Sequence, residues 1–349
     1  MVLRFVQGRC FMKLVTIKDV AKEAGVSISV VSYVLNNNPN VSITDKTRSK
    51  VLDAAKKLNY KPNSIARSMR TKKTMMICLA TFWDVSDSVF TDVLKGVDNI
   101  AEENQYSVIY CNIKDHTTSQ KIIDLYKQRQ IDGVILLLHV DPMENFDEAD
   151  FIRHIKQNHV PAVIINGRTE DLELNYVYID YYSSTYTAVR FLYRLGHRRM
   201  CYVLPDKHEV STNQAIQRKK GYKDAVNDFG LAESDLFFDN ESLVKHIDLF
   251  KADRKPSAVI VNKTAYATSL LRTFAENQIK VPEDISVIAC NDQSTADYLT
   301  PALTTVRIPI YEIGETSAGI LFELLKGNSS IIKQKLSNEV VERKSHRKI

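Results

Sequence analysis

The stretch "TIKDVAKEAGVSISVVSYVLN", Thr16 to Asn36, sets two helical patterns on either side of one glycine. Thr16 is an N-cap residue, and Asp19 three positions on can return the bond in a capping box. Ile17, Val20, Ala21 and Ala24 recur at helical spacing and make one apolar face. Gly25 ends that helix because glycine takes positive φ at low cost, and Ser27 caps the next. On the second helix Val31, Val34 and Leu35 turn back to the first, while Ile28, Ser29, Ser32, Tyr33 and Asn36 lie on the opposite side. With no room for a loop, the crossing is fixed and the second helix stands free to enter a major groove. This is the helix-turn-helix arrangement.

Working outward, a third helix is expected after "NNNPNVSI", capped by Thr44, with Val51, Ala54, Ala55 and Leu58 as its stripe. Then comes "LNYKPNSIARSMRTKKT", Leu58 to Thr74. Here Pro62 is expected to stop the third helix and Asn63 to cap a short one, Ser64 to Arg70, that carries Arg67 and Arg70. Charge follows the same boundary. Residues 1–73 hold 15 Lys and Arg against 4 Asp and Glu, a net of +11, and the remainder holds 32 against 38, a net of −6. A basic head on a mildly acidic body is the electrostatic footprint of nucleic-acid binding. A merely solvated basic tail would be of low complexity, whereas this head is rich in periodic apolar residues.

These residues resemble the lactose/galactose repressor (LacI/GalR) family of bacterial transcription regulators. The family's head looks like TIxDVAxxAGVSxxTVSRVLN followed by VSxxTRxxVxxAxxxLxYxPNxxARSLxxxxT, and the likeness runs on to Arg343. The resemblance implies that Ile28, Ser29 and Tyr33 read bases, and that Thr16, Ser27, Ser32, Asn36 and Asn63 position the phosphates. It also implies that Ser64, Ala66, Arg67 and Met69 enter a minor groove at a hinge. Three departures matter. Val30 stands where the family has Thr, Tyr33 where it has a guanine-reading Arg, and Met69 where it has the wedging Leu. About two extra residues fall at "VSITDKTR". The operator sequence therefore does not transfer from relatives.

From Met75 onward short apolar runs alternate with helical segments. The runs are 75–82, 106–112, 133–138 and 161–167, then a second series at 176–180, 198–205, 257–262 and 284–292. Buried strands alternating with helices imply parallel sheets wound on both sides, and two series imply two subdomains. The fold class expected is a small all-α helix-turn-helix head on an α/β body of two doubly wound parallel sheets. The resemblance implies the periplasmic-binding-protein fold, with three crossovers near residues 177, 307 and 335. The expected organisation is a disordered extension over 1–11, a DNA-binding domain over 12–60 and a hinge over 61–74. An effector-binding and dimerisation domain follows over 75–349, with one subdomain about 75–177 plus 308–334 and the other about 178–307 plus 335–349.

Ligands of such sheets sit beyond the carboxyl ends of the strands. The residues expected there are Phe82, Trp83, Phe90, Asn166, Arg168, Asn262, Lys263 and Asn291. Arg218 joins them because "RKKGY" matches the family's R-x-x-G-Y, whose Arg holds ligand oxygens. Where the family has Asp, this chain has Asn291, and where it has N-D, this chain has Asn262-Lys263. Carboxylates that accept hydroxyl protons from sugars are thus replaced by neutral or cationic groups, which favours an anionic effector, a sugar phosphate ahead of a free sugar. Enzyme readings lack their motifs: there is no G-x-G-x-x-G after a strand, no G-x-x-x-x-G-K-[ST] and no G-x-S-x-G. His154 and His159, five apart, suit a solvated helix end better than a metal. No cofactor is expected. No apolar run approaches the length of a membrane span, and five scattered cysteines suit a reducing cytoplasm. The partners expected are a near-palindromic double-stranded operator, a small-molecule effector and a second copy of the chain. A solute-binding protein without DNA activity is the alternative.

Overall fold

The computed structural model describes residues 3–6, 9–12, 15–35, 41–60, 73–113, 117–138, 146–167, 171–204, 211–231, 236–238, 247–253 and 255–349. The chain divides into two units, Met1–Thr74 and Met75–Ile349.

In the first unit, helices α1 (Ile17–Ala24), α2 (Ile28–Leu35) and α3 (Asp45–Lys57) enclose one small core. Val20, Val31 and Val51 are fully buried at its centre, lined by Ala21, Val34, Ala54 and Ala55. The expected caps form. The backbone N–H of Thr16 donates to Asp19 Oδ2 at 2.9 Å, Val30 N–H to Ser27 Oγ at 3.3 Å and Thr47 N–H to Thr44 Oγ1 at 3.3 Å. Gly25 takes φ 66° and closes α1 by donating to the Ala21 carbonyl. Two expectations need correction. Helix α3 ends at Lys57, before Pro62: Asn59 adopts φ 49° and the Tyr60 N–H returns to the Ala55 carbonyl at 2.9 Å, a C-terminal cap that needs no proline. The extension is not without order either, because β1 (Leu3–Val6) and β2 (Arg9–Met12) pair antiparallel. Both runs are rich in β-prone apolar side chains, and a two-residue step ending in glycine separates them in sequence.

The second unit holds two six-stranded sheets. The first, in the order β13-β7-β6-β5-β3-β4, is built from Lys333–Lys335, Asn175–Tyr178, Ala162–Ile165, Gly133–Leu137, Met76–Thr81 and Ser107–Asn112. The second, β14-β12-β11-β10-β8-β9, is built from Glu339–Val341, Thr304–Arg307, Ser286–Ala289, Ala258–Val261, Met200–Val203 and Leu236–Phe238. Every pair in both sheets is parallel except β12 with β14. The inner strands are apolar on both faces because helices cover both. For the first lobe these are α4 (Ser88–Glu103), α5 (Thr117–Lys127), α6 (Glu148–Gln157) and α10 (Ile310–Leu325). For the second they are α7 (Tyr181–Arg194), α8 (Asn213–Asp228) and α9 (Thr264–Glu276).

The chain passes between lobes at 179–180, 308–309 and 336–338. Side chains tie these passages together. Asn338 Nδ2 donates to the Asp180 carbonyl and to Ser183 Oγ, both at 2.7 Å, and Arg307 bridges Glu312 and Glu339 at 2.6 and 2.7 Å.

Helices α4 and α10 approach closely at two glycines. A β-carbon at Gly96 would strike the Tyr311 carbonyl, and one at Gly314 the Val93 carbonyl. Both obstacles are backbone, so the helices themselves must separate. Gly96→Ala is expected to cost about 1–3 kcal/mol by overpacking, read as a lower melting temperature of the body. An unchanged melting temperature would show that the contact is loose.

The C-terminal segment is knitted into the second lobe. Ser345 is fully buried; its Oγ donates to the Val287 carbonyl at 2.6 Å and accepts from Thr304 N–H at 2.8 Å. His197, also fully buried, lies 2.9 Å from Ser257 Oγ and 3.0 Å from the Arg347 carbonyl. Burial depresses its basicity below the usual histidine range, against the opposing hydrogen bond to the Arg347 carbonyl. The unfolded chain therefore takes up the proton first. The stability tied to neutral His197 is complete above about pH 6.5, the ordinary histidine value, and declines as pH falls below it. Melting temperature should drop more steeply between pH 7 and 5 in the wild type than in His197→Asn. Parallel curves for the two proteins would refute this.

Candidate functional site

The head presents the outer face of α2. Ile28 is 44% exposed and Ser29 is exposed beside it, while Ser32 and Tyr33 are half-buried. The inner face, Val31 and Val34, is buried. One helix thus separates a packing side from a presenting side, as its sequence periodicity requires. Thr16 and Ser27 are engaged at helix starts, Thr16 Oγ1 donating to Asp19 at 2.8 Å. Helix starts are where phosphates meet backbone N–H groups. Lys18, Lys22, Lys46 and Lys50 are exposed on the same unit, and Lys57 is held by Glu23 at 2.6 Å. Asn36, Asn63, Ser64, Ala66, Arg67, Met69 and the expected helix Ser64–Arg70 lie outside the described residues.

In the body, the carboxyl ends of the strands bring together most of the residues expected there. Arg218, on α8, is 1% exposed. Its Nε donates to Ser184 Oγ at 3.3 Å, Nη1 to Asn262 Oδ1 at 3.2 Å and Nη2 to the Cys290 carbonyl at 2.7 Å. The Tyr181 ring lies 5.3 Å from its guanidinium carbon. Asn262 is 1% exposed and also accepts from the Tyr202 hydroxyl at 3.0 Å. Burial holds the Tyr202 hydroxyl well above its usual range, so it stays a neutral donor. Asn291 follows Cys290 and is half-buried, and its carbonyl accepts from Thr264 at 2.5 Å. Lys263 is the N-cap residue of α9, with no side-chain cap bond.

On the first lobe, Asn166 is 3% exposed at the end of β6 with φ 61°. Its Oδ1 accepts from Ile179 N–H at 2.9 Å, fastening the first passage. Phe82 meets Phe146 edge-on at 4.4 Å, and Trp83 packs on the lobe's core. Phe90 is 4% exposed in the core of the first lobe and packs against Tyr110, because the apolar face of α4 turns it toward the sheet. Arg168 lies outside the described residues.

Sequence reasoning missed Tyr181, Ser184 and Tyr202, which surround Arg218. Their positions follow from how α7 crosses α8, and no local pattern marks them. It also missed a cavity of about 510 Å³ between α4, the stretch after β11 and the second passage, lined by Asp92, Lys95, Asn291, Asp292, Arg307 and Tyr311. No group of His, Cys, Asp and Glu able to hold a metal occurs among the described residues, and no helix there is long and apolar enough to cross a membrane.

A helix-turn-helix head joined to a two-lobed body with buried polar side chains at its strand ends is the build of a ligand-controlled DNA-binding regulator. Residues 16–63 match the model for "Bacterial regulatory proteins, lacI family". Residues 74–238 match "Periplasmic binding proteins and sugar binding domain of LacI family", and 189–346 match "Periplasmic binding protein-like domain". The chain is 30% identical over 338 residues to the HTH-type transcriptional regulator RegA of Clostridium saccharobutylicum, covering 95% of this chain and 98% of that protein. It is 30% identical to the HTH-type transcriptional repressor CytR of Escherichia coli (strain K12), covering 89% and 90%. A solved lac repressor dimer bound to operator and the anti-inducer ONPF shares the fold, with TM-score 0.74 and 23% identity, covering 96% of this chain and 100% of that one. The chain belongs to the lacI family of bacterial regulatory proteins. It is a DNA-binding transcription regulator and not an enzyme.

Proposed function

We propose that this regulator binds as a homodimer to a near-palindromic operator in the cytoplasm and represses transcription under control of a small effector. The observation that carries the reading is the division of α2: Val31 and Val34 anchor it while Ile28, Ser29 and Tyr33 remain on the presenting side. In this reading those three side chains contact base edges in the major groove. Thr16, Ser27, Ser32, Asn36 and Asn63 hold phosphates. Ser64, Ala66, Arg67 and Met69 enter the minor groove at the centre of the site, with Met69 as the wedge. The effector lies against Phe82, Trp83, Phe90, Asn166, Arg168, Arg218, Asn262, Lys263 and Asn291, and its binding shifts the two lobes between arrangements that favour or release the hinge.

Selection of bound fragments from a genomic library by gel shift of the full chain tests this. An inverted repeat is expected among the selected fragments, with binding lost in an Ile28→Ala, Ser29→Ala double variant that melts normally. Failure to select any sequence over random DNA would overturn the assignment of these side chains to base contacts.

A further inference from the structure

We infer that the effector is an anion, a small molecule whose carboxylate or phosphate group is held by Arg218. This rests on the effector cleft proposed above and specifies its ligand.

Arg218 is a buried cation without a counter-ion. It is 1% exposed, and each of its three hydrogen-bond acceptors is neutral: a serine hydroxyl, an asparagine amide and a peptide carbonyl. No carboxylate pairs with it among the described residues. Those nearby in the chain or at the strand ends are committed elsewhere. Asp292 takes Arg343 Nη1 at 2.8 Å and Thr305 at 2.6 Å. Asp180 caps α7 through Ser183 N–H at 3.0 Å. Glu148, the buried acid of the other lobe at this end, opens α6 beside Gly167. Burying a charge is costly unless it is paired, and arginine is almost never fully buried alone. Asn291, the residue after the carbonyl that Nη2 engages, is an amide and supplies no charge.

A second observation points the same way from the other lobe. Asn166 is 3% exposed, and its Nδ2 has no hydrogen-bond partner. Its Oδ1 is tied to Ile179, two residues before Tyr181, whose ring covers Arg218. The two donors therefore flank the same passage between lobes. Arginine carries five N–H groups; three are engaged, which leaves two for a planar or tetrahedral oxyanion. A neutral sugar would bring hydroxyl oxygens to these donors but no charge to balance Arg218.

The test uses the full chain, with melting temperature as readout. Inorganic phosphate is compared with chloride at equal pH and ionic strength, in the wild type, in Arg218→Met and in Asn291→Asp. A rise in phosphate is expected in the wild type and not in either variant, because one removes the charge and the other supplies its counter-ion. Comparison with the variants subtracts phosphate bound by the basic head. Asn291→Asp keeps the test valid if Arg218→Met does not fold. Glucose and ribose are then each compared with their phosphates and their sugar acids. Stabilisation by phosphates assigns a phosphate ligand, and by acids a carboxylate ligand. No phosphate effect, or an equal effect in wild type and variants, overturns the inference. Stabilisation by neutral sugars alone, lost in Asn262→Ala, overturns the charge while leaving the cleft as the effector site.

Discussion

Operator affinity is expected to fall by about 10³–10⁵-fold between 50 and 200 mM salt, for a dimer neutralising roughly 6–10 phosphates. The head's net charge of +11 over residues 1–73 motivates this, set against −6 on the remainder. Each phosphate neutralised by Lys or Arg releases condensed counter-ions, so affinity declines as a power of salt concentration. Lys18, Lys22, Lys46 and Lys50 are exposed and available for the purpose, while Lys57 is engaged by Glu23. The measurement is a titration of the selected operator and of random duplex at several salt concentrations. Binding to both should weaken, and the operator should stay preferred. An affinity nearly independent of salt would contradict the reading of the head as the DNA-binding element.

Substituting Tyr33→Arg is expected to install a guanine preference worth about 1–3 kcal/mol at one position of each half-site. Arginine offers two parallel donors to the O6 and N7 of guanine, whereas the tyrosine hydroxyl makes single contacts and its ring suits a thymine methyl. Tyr33 is half-buried on α2, between the buried Val31 and Val34 and the exposed Ser29, so the exchange leaves the core of the head intact. Selection with both proteins reads the change directly. The same half-site from each would mean that residue 33 does not face the bases.

The head was legible in the sequence because its determinants are local. Three helices, their caps at Thr16, Ser27 and Thr44 and the glycine between α1 and α2 follow from side-chain chemistry within a few residues. The end of α3 was misplaced because Pro62 is a conspicuous stop, while the left-handed turn at Asn59 is a quieter one. The extension's ribbon was overlooked because its two runs are short and isolated hairpins are marginal.

In the body, strand and helix alternation was plain, and with it the parallel sheets and the location of a cleft at strand ends. The helix phase that buries Val93 and Val97 buries Phe90 with them, a placement set by which face of α4 meets the sheet.

What the sequence determined by itself was the family, the order of elements, the basic head and the candidacy of Arg218, Asn262, Asn291 and Asn166, all of which follow from local pattern and resemblance. What only the tertiary structure decided was the state of those groups. That Arg218 is buried without a carboxylate, beneath Tyr181 and against Ser184, depends on α7 crossing α8, with the accepting Ser184 hydroxyl 34 positions away. The joining of the three passages through Asn338 and Arg307 depends on contacts between residues up to 158 positions apart. Burial and charge pairing are properties of neighbours in space, and one sequence lists neighbours only along the chain.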